Sequence, residues 1–110
     1  MCAAPGTAQS TVLIDNDRVR VTRWRFPVKG ANTGWHVHAH DYIVVPEFDG
    51  VLEILHDDGT RTLSSVATGA PYFRSAGVAH DVISANDFEC AFTEIELLEP
   101  AATGDRGMTL

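Results

Sequence analysis

The sequence has 110 residues, of which 45% are hydrophobic and 21% charged, and its formal net charge at pH 7 is −7. This length suffices for one domain with its own core, and the composition is that of an ordinary globular chain. The 8 basic residues are scattered among 15 acidic ones. Nucleic acid and anionic membranes are therefore excluded as expected partners, because both require a basic surface.

The two ends of the chain carry little patterning. The start, MCAAPGTAQS, lacks the basic residues and apolar run of a secretory signal, and no segment is long and apolar enough to span a membrane, so we expect a cytoplasmic location. Two cysteines, Cys2 and Cys90, do not make the disulfide framework of a small secreted domain. We predict flexible tails at residues 1–9 and 100–110 around a single domain at 10–99.

The first half of the domain predicts short strands. The segment RVRVTRWRF (18–26) alternates charged and apolar residues, and its phase slips near Thr22 and Arg23, as a bulge would produce. After a turn-rich link come WHVHAH (35–40) and DYIVVPEF (41–48). Pro46 indicates an edge position or a bulge, because proline cannot donate to a strand ladder.

The second half continues in the same way. An Asp-Gly pair lies between two alternating runs in GVLEILHDDGTRTLSSV (50–66), which predicts a hairpin. Three more short β segments follow: APYF, AHDVIS and FECAFTEIELLE. No segment of ten residues shows helical periodicity. Eight or nine short strands with frequent turns predict an all-β antiparallel sandwich or small barrel.

Histidines are the residues most suggestive of chemistry. His36 and His38 alternate along one predicted strand and project from the same face, so they can present two imidazoles to one ion. His80 begins another strand some forty residues later and can complete a tripod. Neutral imidazole suits Fe, Zn, Ni, Mn or Cu, so the ligand type leaves the metal open.

These histidines also carry a family resemblance. The segment from Gly30 through ANTGW to His36-Val37-His38, ending at Gly50, resembles the first motif of the cupins, G-x5-H-x-H-x3,4-E-x6-G. The segment from Gly69 through Gly77 to His80 resembles their second motif, G-x5-P-x-G-x2-H-x3-N. The resemblance implies a jelly-roll barrel, the double-stranded β-helix of the cupin fold, and a metal held by His36, His38 and His80.

The departures from the motifs are specific. Tyr42 or Ile43 stands where the family places its glutamate ligand. Tyr42, Asp41, His40 or a water could occupy that position. In the second motif Ser75 replaces the proline and Ser84 the asparagine, with Asn86 two residues further on.

Outside the tripod, His40 is interpreted as a polar residue at a bend, and His56 as a surface residue of the hairpin.

Other polar residues are candidates for substrate contacts. Arg74 or Arg25 could pair with a substrate carboxylate, and Tyr42 could act at the pocket wall. Glu94 and Glu96 alternate with apolar residues, so we expect them on a solvated outer face. With the opposite alternation, one of them would be available as a general base.

The function implied by the resemblance is that of a metal-dependent enzyme acting on a small anionic or chelating substrate. All-histidine cupin sites look like those of thiol and diketone-cleaving dioxygenases, which favours a dioxygenase. A non-redox isomerase or lyase and a non-catalytic binding protein are the alternatives. We expect a homodimer, because the exposed sheet edges of a small jelly roll invite pairing.

Overall fold

A computed structural model describes residues 7–98 of the chain. The tail predicted at residues 100–110 lies outside this range, as do Cys2 and most of the tail predicted at 1–9. The first strand begins at Gln9, and the amide of Ala8 already donates to the Asn32 carbonyl at 2.9 Å. The first strand therefore begins one residue before the predicted start of the domain at residue 10.

Nine strands make up the regular structure of the described range. They are β1 (Gln9–Asp15), β2 (Val19–Phe26), β3 (His36–Val37), β4 (Tyr42–Pro46), β5 (Gly50–His56), β6 (Arg61–Val66), β7 (Tyr72–Arg74), β8 (Ala79–Ser84) and β9 (Cys90–Leu97). No helix of the described residues is long and apolar enough to cross a membrane.

The strands form two antiparallel sheets packed face to face. The five-stranded sheet has the order β1-β2-β9-β4-β7, and the four-stranded sheet has the order β3-β8-β5-β6. Most neighbours are not consecutive in the chain, so the polypeptide crosses repeatedly between the sheets. This arrangement confirms the all-β jelly roll, although the two sheets are hydrogen-bonded separately rather than closed into one barrel.

Side chains inside the jelly roll form rows, because antiparallel partners lie on the same face of a sheet. In the four-stranded sheet, Leu52 pairs with Ser84 and Ile54 with Val82. Leu52 and Ser84 are almost wholly buried, at 0% and 1% exposure. The next row toward the open end is the histidine row: His56, His80 and His36.

The five-stranded sheet faces these rows with rows of its own. Phe26 and Cys90 are paired at the apolar end, and the row beside them contains Trp24, Phe92 and Pro46. The next contains Thr22, Glu94, Val44 and Tyr72. The third, the Tyr42 row, contains Arg20, Glu96, Tyr42 and Arg74. Apolar packing therefore fills one end of the jelly roll, and polar side chains gather toward the other.

Three local predictions have clear outcomes. The hairpin at residues 50–66 is confirmed, with Gly59 in the left-handed region at φ +87°. The bulge predicted in β2 near Thr22 lies instead in the neighbouring strand β1, between Val12 and Ile14. β2 itself keeps regular register with β9. Pro46 is the last residue of β4, beyond the segment Tyr42–Val44 that β7 pairs.

Asn86 ties the end of β8 to the start of β5. Its Oδ1 accepts from the Val51 amide and its Nδ2 donates to the Val51 carbonyl, both at 2.9 Å. The side chain lies against Gly50, where a Cβ would collide with Oδ1. The asparagine missing from position 84 of the second motif thus has a structural counterpart two residues later.

Replacing Asn86 by alanine is expected to lower the free energy of unfolding by about 1–3 kcal/mol, because the half-buried Val51 amide loses its partner and the Val51 carbonyl keeps only the Ala85 amide. Urea denaturation monitored by tryptophan fluorescence measures this. The control is Asn16→Ala, which removes an exposed side chain that accepts from Arg18 and Val19. Water can replace those bonds, so we expect a loss of about 0.5–1 kcal/mol there. Equal losses in the two variants would contradict a special role for Asn86.

Candidate metal centre

The register between β3 and β8 brings two of the predicted ligands together. His36 lies directly opposite His80. His38 follows β3 and is fixed to the loop before β8, since its amide donates to Val78 and its carbonyl accepts from Gly77, both at 2.8 Å. All three predicted ligands therefore converge at the polar end of the jelly roll.

The three imidazoles meet through their Nε2 atoms. His36 Nε2 is 3.0 Å from His38 Nε2, which is 3.3 Å from His80 Nε2. Nitrogens each about 2.1 Å from one ion are about 3.0 Å apart at right angles and about 3.4 Å apart in a tetrahedron. The observed separations match a shared ion, so the residues present fit a divalent transition metal.

The loop that carries His36 is held by β8. Asp81 accepts from the Asn32 side chain at 2.9 and 3.2 Å and from the Gly34 amide at 3.1 Å. His36 Nδ1 lies 2.8 Å from the Gly34 carbonyl. Because a carbonyl can only accept, Nδ1 carries the proton and Nε2 presents its lone pair to the site.

Burial keeps the other two histidines neutral. Desolvation, followed by the proximity of His36, lowers the pKa of His38 to about 4. Desolvation and the neighbouring histidines lower the pKa of His80 to about 3. Neutral imidazole is the form that binds metal.

Tyr42 occupies the position where the first motif has its glutamate. Its ring stacks on His38 with centroids 3.8 Å apart and an interplanar angle of 18°. Burial, with a smaller contribution from Glu94, raises the pKa of Tyr42 above its ordinary value, so the hydroxyl stays protonated. Among the described residues, the Tyr42 hydroxyl is the one buried side-chain polar atom without a hydrogen-bond partner.

The remaining candidates for the glutamate position lie elsewhere. Asp41 Oδ1 accepts from the Ala76 amide at 2.8 Å and fixes the loop before β8. His40 is half-buried and does not line the cavity around the histidines.

Two expectations about the histidines and glutamates were wrong. His56 lines the cavity rather than the outer surface, because its register with His80 turns it inward, and it contacts the Thr62 hydroxyl at 2.8 Å. Glu94 and Glu96 both lie on the inner face, where Glu94 is only 8% exposed, whereas Ile95 faces outward. Burial, and then the nearby Glu96, raises the pKa of Glu94 to about 7.

The two candidate arginines have different surroundings. Arg74 lines the cavity, with its guanidinium 4.8 Å above the Tyr72 ring. Arg25 lies on the outer face of β2 and pairs with Glu89 at 2.8 Å. A substrate contact of Arg74 therefore stays a prediction. The expectation is wrong for Arg25, because residues of odd number on β2 point away from the cavity.

The cavity has a volume of about 550 Å³ and is lined by both sheets. Volumes of this size hold small molecules. The histidine row lines it from the four-stranded sheet. Tyr42, Arg74 and Glu94 line it from the five-stranded sheet.

Comparisons with known proteins agree with this architecture. The chain is 50% identical over 90 residues to the "Beta-alanine degradation protein BauB" of Pseudomonas aeruginosa PAO1, a match that covers 82% of this chain and 93% of that protein. It superposes on the crystal structure of a cupin domain from Bordetella pertussis Tohama I with a TM-score of 0.81 and 45% identity, covering 90% of this chain and all of that one.

A more distant structure shows the fold alone. The polyketide cyclase RemF from Streptomyces resistomycificus matches with a TM-score of 0.63 and 19% identity, covering 91% of this chain and 73% of that one. No family model matches the sequence.

Proposed function

The chain belongs to the cupin superfamily, and from this premise we propose that it is a metal-dependent enzyme of the dioxygenase type that acts on a small carboxylate. The proposed ligands of the metal are His36, His38 and His80. The observation that supports this most directly is the convergence of the three imidazoles: His38 Nε2 lies 3.0 Å from His36 Nε2 and 3.3 Å from His80 Nε2, and the three ligand atoms all lie within 4.8 Å of one another. A packing role alone would not require these nitrogens to meet.

The donor set limits what the metal can do without identifying it. Three neutral imidazoles accept Fe, Zn, Ni, Mn or Cu and leave the full +2 charge of the ion in place. When bound, such an ion supplies a Lewis acid with open coordination positions, and iron can also bind dioxygen there. An anionic substrate is favoured because it offsets this charge.

The cavity offers protein contacts for a carboxylate. Arg74 presents a guanidinium at the cavity wall, which can bind a carboxylate through two parallel hydrogen bonds. The buried Tyr42 hydroxyl can donate to a substrate oxygen. β-Alanine, named in the relative from Pseudomonas aeruginosa, carries a carboxylate, and this supports a small carboxylate as the substrate class.

The metal site predicts the behaviour of single histidine variants. The wild-type protein is expected to bind one divalent metal per chain, and His36→Ala, His38→Ala and His80→Ala are each expected to weaken binding at least 100-fold. Elemental analysis after loading with Zn²⁺ and dialysis, together with calorimetric titration, measures this. His40→Ala is the matched control, because His40 does not line the cavity, and its affinity is expected to stay within twofold of wild type. Wild-type protein that binds no metal would overturn the proposed function.

The enzymatic proposal predicts oxygen consumption. Iron-loaded protein is expected to consume one O₂ per substrate molecule without an added reductant, since a dioxygenase places both oxygen atoms in its substrate. An oxygen electrode with a panel of small thiols, diketones and β-substituted carboxylates measures this. Arg74→Gln is expected to raise KM about 10–100-fold through loss of the charged contact. Tyr42→Phe is expected to lower kcat.

Controls separate this chemistry from its alternatives. Arg25→Gln is the matched arginine control, because Arg25 pairs with Glu89 outside the cavity, and its KM is expected to stay unchanged. Product formation without O₂ consumption would indicate an isomerase or lyase and contradict the dioxygenase proposal. Tight ligand binding without turnover would indicate a binding protein.

We also propose that the protein assembles as a homodimer through the outer face of the five-stranded sheet. One cross-strand row on that face is entirely apolar and crosses all five strands: Ile14, Val21, Ile95, Ile43 and Phe73. Ile14 and Phe73, at its two ends, are 49% and 52% exposed. Continuous exposed apolar surface of this kind is typical of association sites.

Light scattering of the wild-type protein is expected to give twice the mass of one chain. Phe73→Glu and Ile14→Glu are expected to give monomers, because each places a charge in the apolar row. Leu63→Glu is the control, since Leu63 is exposed on the four-stranded sheet, and it is expected to remain dimeric. Wild-type protein with the mass of one chain would contradict the proposal.

A further inference from the structure

Glu94 is a buried carboxylate at an interior position of the five-stranded sheet. It lies between Thr22 on β2 and Val44 on β4, and only 8% of it is exposed. The residue two positions before it on the same face, Phe92, belongs to the apolar core. The Trp24 side chain is a hydrogen-bond partner of Glu94, and a buried carboxylate lowers stability unless its charge is also paired.

The charged neighbours of Glu94 do not neutralise it. Among the described residues, no lysine or arginine nitrogen lies within 4.0 Å of its carboxylate. Arg20, in the adjacent row, pairs with Glu96 at 3.5 Å instead. The one ion-pair contact of Glu94 is with His38, whose Nδ1 lies 3.6 Å from Oε2.

The two nitrogens of His38 have different neighbours. Nε2 faces His36 and His80, at 3.0 and 3.3 Å. Nδ1, on the other side of the ring, faces Glu94. The Tyr42 ring, stacked on His38, fixes the plane of the imidazole. His38 therefore bridges the histidine cluster and the carboxylate.

We propose that Glu94 is a positioning residue for the metal site, which accepts the Nδ1 proton of His38 and so directs the Nε2 lone pair toward the ion. This inference rests on the proposed metal site. The distance of 3.6 Å exceeds a hydrogen bond, and a small rotation of either side chain closes it. Carboxylate partners of this kind fix the tautomer of a ligating histidine and increase its basicity.

The proposal accounts for the carboxylate that the first motif lacks. Tyr42 supplies an aromatic surface at that position. The carboxylate is instead that of Glu94 on β9, on the Nδ1 side of the His38 ring. His36 shows the alternative arrangement, because a backbone carbonyl at 2.8 Å fixes its Nδ1 proton. The two neighbouring ligands are therefore oriented by acceptors of different strength, and only that of His38 can be altered by substitution.

A second arrangement of the same residues has to be distinguished. His38, Glu94 and Glu96 also bring ligand atoms within 4.8 Å of one another, as do the three histidines. An ion held by that cluster would lie on the Nδ1 side of His38. Glu94 would then be a ligand itself, and Glu96 would be as important as Glu94.

The decisive variant is Glu94→Gln, which keeps the shape of the side chain and removes its charge. We expect one Zn²⁺ per chain with an affinity about 10–100-fold weaker than wild type, measured by competition with a chelator. The visible spectrum of the Co²⁺-loaded variant is expected to shift, because the His38 ligand changes basicity. The midpoint of unfolding of the metal-free variant is expected to stay the same or rise, because a buried charge is removed. A purely structural role would lower that midpoint.

Two matched glutamate variants complete the test. Glu89→Gln removes an exposed carboxylate that pairs with Arg25, and its Zn²⁺ affinity is expected to equal that of wild type. Glu96→Gln is expected to stay within a few-fold of wild type. A loss in Glu96→Gln equal to that in Glu94→Gln, with binding retained in His36→Ala, would place the metal in the carboxylate cluster and overturn the proposal.

The result also separates this inference from the proposed function. Wild-type protein that binds no metal overturns the metal site itself. Wild-type protein that needs His36 and His80 for binding, with unchanged affinity and an unchanged Co²⁺ spectrum in Glu94→Gln, overturns only the role of Glu94.

Discussion

The register between β3 and β8 is the constraint on which the candidate site depends. It places His36 opposite His80 on the inner face. If the pairing slipped by one residue, Val37 would point inward, and His36 would point outward and no longer lie beside His80, because side chains alternate between the two faces of a strand. β3 is only two residues long, so this register needs support from outside the ladder. Asp81 provides it by holding the loop before His36 through the Asn32 side chain and the Gly34 amide.

The pairing of strands into cross-strand rows also explains why polar groups gather at one end of the jelly roll. Each sheet changes from apolar to polar residues over about three rows. Leu52 and Phe92 fill the apolar end, while the histidine row faces the Tyr42 row at the other. Burial at the apolar end favours folding, and the polar end can then keep groups such as the Tyr42 hydroxyl that lack a partner.

Much of the fold and part of the site could be predicted from the sequence. His36, His38 and His80 stand at motif spacings, and the hairpin at residues 50–66 has a strong local turn signal. Glu94 and His56 could not be placed, because their orientation depends on which neighbours each strand pairs with. On β9 the apolar residues Ile95 and Leu97 suggest an inward face, yet both point outward, Ile95 in the apolar row and Leu97 opposite Val19. The cytoplasmic location remains a prediction, since the fold does not bear on it.

Side chains along β9 alternate between the two faces of the sheet, so Ile95 points outward where Glu94 points inward. Ile95 can face outward without loss if the outer face is covered, and Glu94 can face inward without loss if a positive charge lies nearby. Within a single chain, Ile14 and Phe73 leave the outer face exposed, and among the described residues no lysine or arginine nitrogen lies within 4.0 Å of the Glu94 carboxylate. A second chain against the outer face would satisfy the first condition. A divalent ion behind His38 would satisfy the second, because its charge acts through the imidazole on the carboxylate. The proposed dimer and the proposed metal would therefore each account for one of the two departures from simple patterning on this strand.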